Sequence, residues 1–177
     1  MQIKWLPTAI TAAVAVVLLL GGWFFYQNVA VERPLDKLVN TVDGVASSVS
    51  TVNGQTVAVE LKLKPDADMA SVVQTIKKQG ASVIGNRELK VSFPSDSSEK
   101  LDKIWSTLLF PVAESMEKRE YSGIARTLEE LRKQHPDLKV YSSMDDSNVY
   151  IALQDGKASK YIVLPRYPAT MGVWNHA

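Results

Sequence analysis

The side chains able to do chemistry are few, and each has a structural use where it stands. Ser97-Ser98-Glu99-Lys100 has the Ser-x-x-Lys spacing at which a lysine can activate a serine as nucleophile. Such a site also needs a Ser-Asp-Asn element and a Lys-Thr-Gly strand, and the chain has neither. Asp66 with Asp68, and Asp145 with Asp146, could pair carboxylates for acid–base work or for calcium. Each pair stands where a turn or helix cap already calls for Asp, and no twelve-residue calcium loop surrounds either. His135 and His176 have no second ligand type at metal spacing, so no metal site is expected. No Gly-x-Ser-x-Gly elbow, phosphate-binding loop or dinucleotide fingerprint occurs. The expectation is a non-enzymatic protein without catalytic residues or cofactor.

The elements that would position these groups follow from periodicity. Leu35, Leu38, Val39 and Val42 form a helical stripe after Pro34, ending near Asp43-Gly44. Val45 to Val52 leads into Asn53-Gly54, a strong hairpin signal. Val57, Val59, Leu61 and Leu63 then alternate with polar residues, as in a strand with one wet face. Asp66 or Asp68 caps a helix carrying Met69, Val72, Val73 and Ile76, and Gly80 stops it. Val83-Ile84, a Gly85-Asn86 turn, and Leu89, Val91 and Phe93 read as a second hairpin.

Further on, Asp96 and Glu99 suggest a capping box before Leu101, Ile104, Trp105, Leu108, Val112 and Met116. Pro111 should kink or interrupt that helix. A helix from Tyr121 to His135 and a three-strand meander (138–143, 149–154, 161–164) complete the chain. Three segments of helix, strand, polar turn and strand make a weak internal repeat. The expected fold class is α+β: one N-terminal transmembrane helix, then antiparallel sheets with amphipathic helices on one face. The order is a ferredoxin-like-related αββαββ unit followed by α-α-βββ. The expected divisions are 1–31 (tail and anchor), 32–94 (αββαββ lobe), 95–166 (helical hairpin or kinked helix with the meander) and 167–177 (irregular tail).

Between Lys4 and Glu32 there is no ionisable side chain, and Trp5 to Tyr26 is mostly apolar. As a helix this stretch measures roughly 33 Å, enough for a hydrocarbon core of about 30 Å. Trp5 at one end and Trp23, Phe24, Phe25 and Tyr26 at the other suit the two membrane interfaces. A cleaved signal peptide would need small residues where these four aromatics stand, which favours an uncleaved signal-anchor over it and over a buried core helix. Lys4 on one side nearly balances Arg33 and Lys37 on the other, so the positive-inside rule is close to a tie. A short basic tail at the extreme N-terminus favours a single-pass protein of the cell membrane with an extracytoplasmic C-terminal domain.

The chain has 20 basic and 19 acidic residues. Without Lys4 the remainder is neutral, 19 against 19, which leaves no electrostatic footprint for nucleic acid. There is no cysteine, hence no disulfide or thiolate chemistry. Tyr167, Met171, Val173 and Trp174 make the irregular tail apolar, so it either folds back on the core or meets a partner; Tyr167, Met171 and Trp174 are the candidate contacts.

In element order alone, residues 34–93 behind an anchor resemble the ring-building modules of membrane secretion and sporulation complexes. That resemblance implies assembly: a scaffold or complex subunit whose partners are the bilayer and either a membrane protein or further copies of itself. Two other readings stand beside it. One is a ligand-binding sensor or accessory subunit of a transporter or signalling system, which would need a pocket lined by Trp105, Tyr141 or Tyr150. The other is a membrane-anchored serine hydrolase.

Overall fold

The computed structural model describes residues 5–27 and 32–167, with side chains of the first stretch described from 12 to 23. The protein is α+β, with two three-stranded sheets. A first helix, α1, runs Trp5–Gln27. Then come α2 (Arg33–Val39), β1 (Val45–Asn53) and β2 (Thr56–Leu63), α3 (Met69–Gln79), a single turn α4 (Ala81–Ile84) and β3 (Glu88–Ser92). The second half holds α5 (Glu99–Glu117), α6 (Tyr121–Gln134), β4 (Lys139–Met144), β5 (Asn148–Asp155) and β6 (Ala158–Pro165).

The β1–β2 hairpin forms as its sequence requires, with a shift of one position at the turn. Asn53 pairs with Thr56, so the loop is Gly54-Gln55 and only Gly54 has positive φ (+57°). Glycine at the first central position gives a type II′ pattern rather than the I′ turn that Asn53-Gly54 suggests. On β2 the expected face is buried: Val57, Val59 and Leu61 are fully covered.

The second expected hairpin does not exist. Val83 and Ile84 lie in α4, because the chain resumes a helical turn straight after Gly80, whose φ is −81°. Gly80 is there for space. A Cβ on it would stand 2.7 Å from the Ile76 carbonyl oxygen and 3.3 Å from Leu35 Cδ1. Gly85, at φ +63°, closes α4 instead of turning a hairpin. β3 therefore reaches β2 by a helical crossover and pairs with it in parallel, Thr56 opposite Glu88. The first sheet is mixed, in the order β1-β2-β3, and the unit is αββααβ rather than αββαββ.

The second half follows its sequence more closely. β4, β5 and β6 form the antiparallel meander. Ser98, rather than Asp96, is the N-cap of α5, its hydroxyl accepting from the Leu101 N–H. α5 continues as one helix through Pro111. It forms a helical hairpin with α6, where a Cβ on Gly123 would stand 2.5 Å from Ser115 Oγ.

β5 joins the two halves. Val149, Tyr150, Ile151, Ala152 and Leu153 are all buried, so both faces of this strand are covered. Val149, Ile151 and Leu153 belong to a core with Leu101, Leu108 and Leu128 of α5 and α6. Tyr150 and Ala152 point the other way, into the core built by α2, α3 and the first sheet. α3 touches both β4 and β5, so the second sheet has helices on both faces, not on one.

Among the described residues no helix is long and apolar enough to cross a membrane. The stretch of α1 with described side chains, residues 12–23, spans roughly 18 Å at helical rise. Val16, Val17, Leu18, Leu19 and Leu20 are each more than half exposed. Five consecutive residues cover more than one turn, so every face of the helix there is apolar and uncovered.

Candidate interaction surfaces

A polar seam fastens the two halves, and most candidate carboxylates are spent in it. Asp66, in the left-handed region at φ +64° that Asp tolerates better than most residues, turns its carboxylate toward β4. There Tyr141 donates to Asp66 Oδ1 at 2.6 Å and Lys139 Nζ stands 3.1 Å away. The tyrosine hydrogen bond, followed by Lys139, holds the Asp66 carboxyl below its ordinary range, and the same bond pushes the Tyr141 phenol up. Asp68 faces elsewhere: it caps α3 through the Ala70 N–H at 3.0 Å and accepts from the Ser71 hydroxyl at 2.7 Å. The Ala70 N–H is shared with Ser143 Oγ of β4. The two carboxylates serve different partners and form no acid–base pair.

Asp145 is 6% exposed and closes the β4–β5 turn. Its Oδ1 accepts from the Ser147 and Asn148 N–H groups, both at 2.7 Å. Its Oδ2 accepts from the Tyr150 hydroxyl at 2.9 Å and lies 3.7 Å from Lys77 Nζ of α3. Burial pushes this carboxyl up most strongly, but the two backbone donors, Tyr150 and Lys77 together outweigh it and hold the pKa below its ordinary value. Burial also raises the Tyr150 phenol.

The Ser-x-x-Lys residues are dispersed. Ser98 is the helix cap, Ser97 donates to Asp102 at 2.7 Å, and Lys100 pairs with Asp155 at 2.7 Å while its side chain is 53% exposed. Lys100 is thus tied to Asp155 and Ser97 to Asp102, and neither contact joins the lysine to the serine. His135 ends α6; His176 lies outside the described residues. Among the described residues no three His, Asp or Glu side chains cluster as a metal site.

Three of the four sheet edges carry hydrogen bonds from elsewhere in the chain, which periodicity gave no hint of. The Glu32 carboxylate accepts the Val52 N–H of β1 at 2.9 Å. Arg132 of α6 donates to the Val140 carbonyl of β4 through Nε at 3.1 Å and through Nη2. On β6, Ser159 N–H donates to the Asp96 carbonyl and Tyr161 N–H to Ser95 Oγ, both at 2.9 Å. Plugged edges discourage strand addition.

Helix α5 offers a different surface. Phe110 is 77% exposed and Leu109 44%. Beside them lies an apolar groove of about 290 Å³ between α5 and the end of β6, lined by Trp105, Leu109, Val112, Met116 and Leu164. Tyr141 and Tyr150 line a separate cleft of about 180 Å³ at the seam. The seam cleft falls below the roughly 300–1,000 Å³ usual for small-molecule sites, and the α5 groove stands at its lower limit. Of the expected tail and interface residues, Tyr167 is 62% exposed and Trp23 62% exposed. Met171 and Trp174, and the side chains of Trp5, Phe24, Phe25 and Tyr26, lie outside the described residues. Comparison with protein families, characterised proteins and solved structures finds no match for this chain.

Proposed function

We propose that this chain is a single-pass membrane-anchored, non-enzymatic module that acts in protein–protein assembly, as a scaffold or subunit of a membrane complex. Apolar surface left open at two places carries the reading. The first is α1, with side chains uncovered on every face from Val16 to Leu20. Such a surface costs about 25 cal/mol for each Å² kept in water, and a bilayer removes that cost. The uncharged interval from Lys4 to Glu32 extends the apolar stretch to bilayer length, and Trp5, Trp23, Phe24, Phe25 and Tyr26 would sit at its interfaces. The second is Phe110 on α5, with Tyr167 as a further contact. An exposed aromatic on a rigid helix suits an interface anchor, and confinement to a membrane raises the effective concentration of the surface it meets. Three of the four sheet edges carry hydrogen bonds from elsewhere in the chain, β3 being the exception, and this helix face is the surface through which association runs. The domain sits on the extracytoplasmic side, and the partner is a membrane protein or a second copy.

Cell fractionation tests the proposal. The full chain should stay in the membrane pellet through an alkaline wash. It should then leave in mild detergent as a particle heavier than one protomer in one micelle. Release by the wash, or a strictly single-protomer particle with no co-purifying protein, would overturn it.

A further inference from the structure

We infer that the free edge of β3 joins two copies of this chain, strand against strand and antiparallel about a two-fold axis at Leu89. This inference goes beyond the assembly proposal: it adds a contact between copies and leaves α5 for a further partner. β3 is the outer strand of the first sheet, bound to β2 on one side. The ladder decides which of its backbone groups face away. Glu88 N–H donates to the Gln55 carbonyl at 2.8 Å, so Glu88, Lys90 and Ser92 turn their main-chain groups toward β2. Leu89 and Val91 alternate with them and point theirs outward. Among the described residues nothing takes up these two N–H groups, unlike the edges that Glu32, Arg132 and Ser95 serve.

The usual guards of an open edge are missing as well. β3 has no proline, and it pairs with β2 from Glu88 to Ser92 without a bulge. Its side chains divide cleanly: Leu89 and Val91 lie half-buried against the first core, while Glu88 and Lys90 stand in water on the other face. A lysine alone would discourage pairing, but here it has a carboxylate beside it, Nζ 3.6 Å from Glu88 Oε2.

Charge selects both the occupant and the register. With the axis at Leu89, Glu88 of each copy stands directly opposite Lys90 of the other, at a position where cross-strand side chains come closest. The symmetry repeats this ion pair on either side of the axis. An axis at Lys90 would set two lysines against each other, and an axis at Val91 would leave Lys90 facing Ser92. At Leu89 the copies also exchange N–H···O bonds between their Leu89 residues, and each Val91 N–H reaches the Arg87 carbonyl of the other copy. The Leu89 side chains meet on the core side, so each covers apolar surface that the single chain leaves half open.

The chain has no cysteine, so engineered thiols report cleanly. The full chain in detergent would be prepared as Glu88→Cys and, with a longer tag, as Lys90→Cys, then mixed and gently oxidised. The mixed disulfide should form about tenfold faster than one between two Lys90→Cys chains, or one between Lys90→Cys and Lys78→Cys on α3, because only the first pair stands directly opposite. Equal rates would overturn the inference, as expected for copies that meet at α5 instead, and so would a preference for the Lys90→Cys pair. Without cysteines, Glu88→Lys or Lys90→Glu alone should weaken the dimer about tenfold by sedimentation in density-matched detergent, and the two together should restore it. Both side chains are more than half exposed, so the swaps spare the fold. Single swaps without effect, or a double swap that restores nothing, would also overturn the inference.

Discussion

Asp145→Ala should destabilise the protein by about 3 kcal/mol, which lowers Tm by roughly 6–12 °C for a chain of this size. The side chain is 3% exposed, and its removal takes the acceptor from the Tyr150 O–H, which still accepts from the Asn148 amide, and from two turn N–H groups. A buried donor left without a partner costs roughly 1–3 kcal/mol, more than the bond itself contributes. Asp145→Asn keeps an acceptor for the turn and should lose less. The pH dependence has a definite sign, because the folded pKa lies below the ordinary carboxylate value. The stabilisation is present above the unfolded pKa of about 3.9 and fades as pH falls through the folded value. The stability gap between the native protein and Asp145→Asn should therefore narrow as pH drops below about 4. Urea titrations across pH measure this, and a pH-independent gap would contradict it.

Tyr150→Ala should cost about 3–5 kcal/mol, and both halves should lose protection together. Tyr150 is 2% exposed and sits on a strand of the second sheet, yet it belongs to the first core. Its ring meets Phe93 edge to face, with centroids 6.3 Å apart at 85°. Deleting it opens a cavity under α3 and loosens the seam that Asp66, Tyr141 and Lys139 complete. Hydrogen exchange on the full chain resolves the outcome. Amides of β2 and of β5 should accelerate by a similar factor. If β2 loosens while β5 keeps its native protection, the halves are independent.

Local signals in the sequence were legible and distant ones were not. The alternation from Val57 to Leu63, the Asp68 cap and the closing meander all appear as their residues require, because each depends on neighbours within one turn or one strand. Val83-Ile84 misleads because two β-branched residues before Gly-Asn look like a hairpin. The space that fixes Gly80 is set first by the Ile76 carbonyl and Ile84, four residues to either side, and only then by Leu35, far away in sequence. The run Val149-Tyr150-Ile151-Ala152-Leu153 contains no charged residue, so a strand covered on both faces could have been read from it. The seam could not: Asp66 meets Lys139 and Tyr141 across more than seventy residues, and periodicity says nothing at that range. Arg132 and Glu32 likewise look like surface charges until the edges they close are seen.

Assembly through α5 requires that this helix meet another protein while the chain sits in its membrane. A photo-reactive amino acid in place of Phe110, activated in intact membranes, asks this directly. Adducts of defined mass, each containing a second protein or a second copy, are expected, and the same probe at Lys78 should give none. Capture of lipid alone, or equal smears from both positions, would contradict the account.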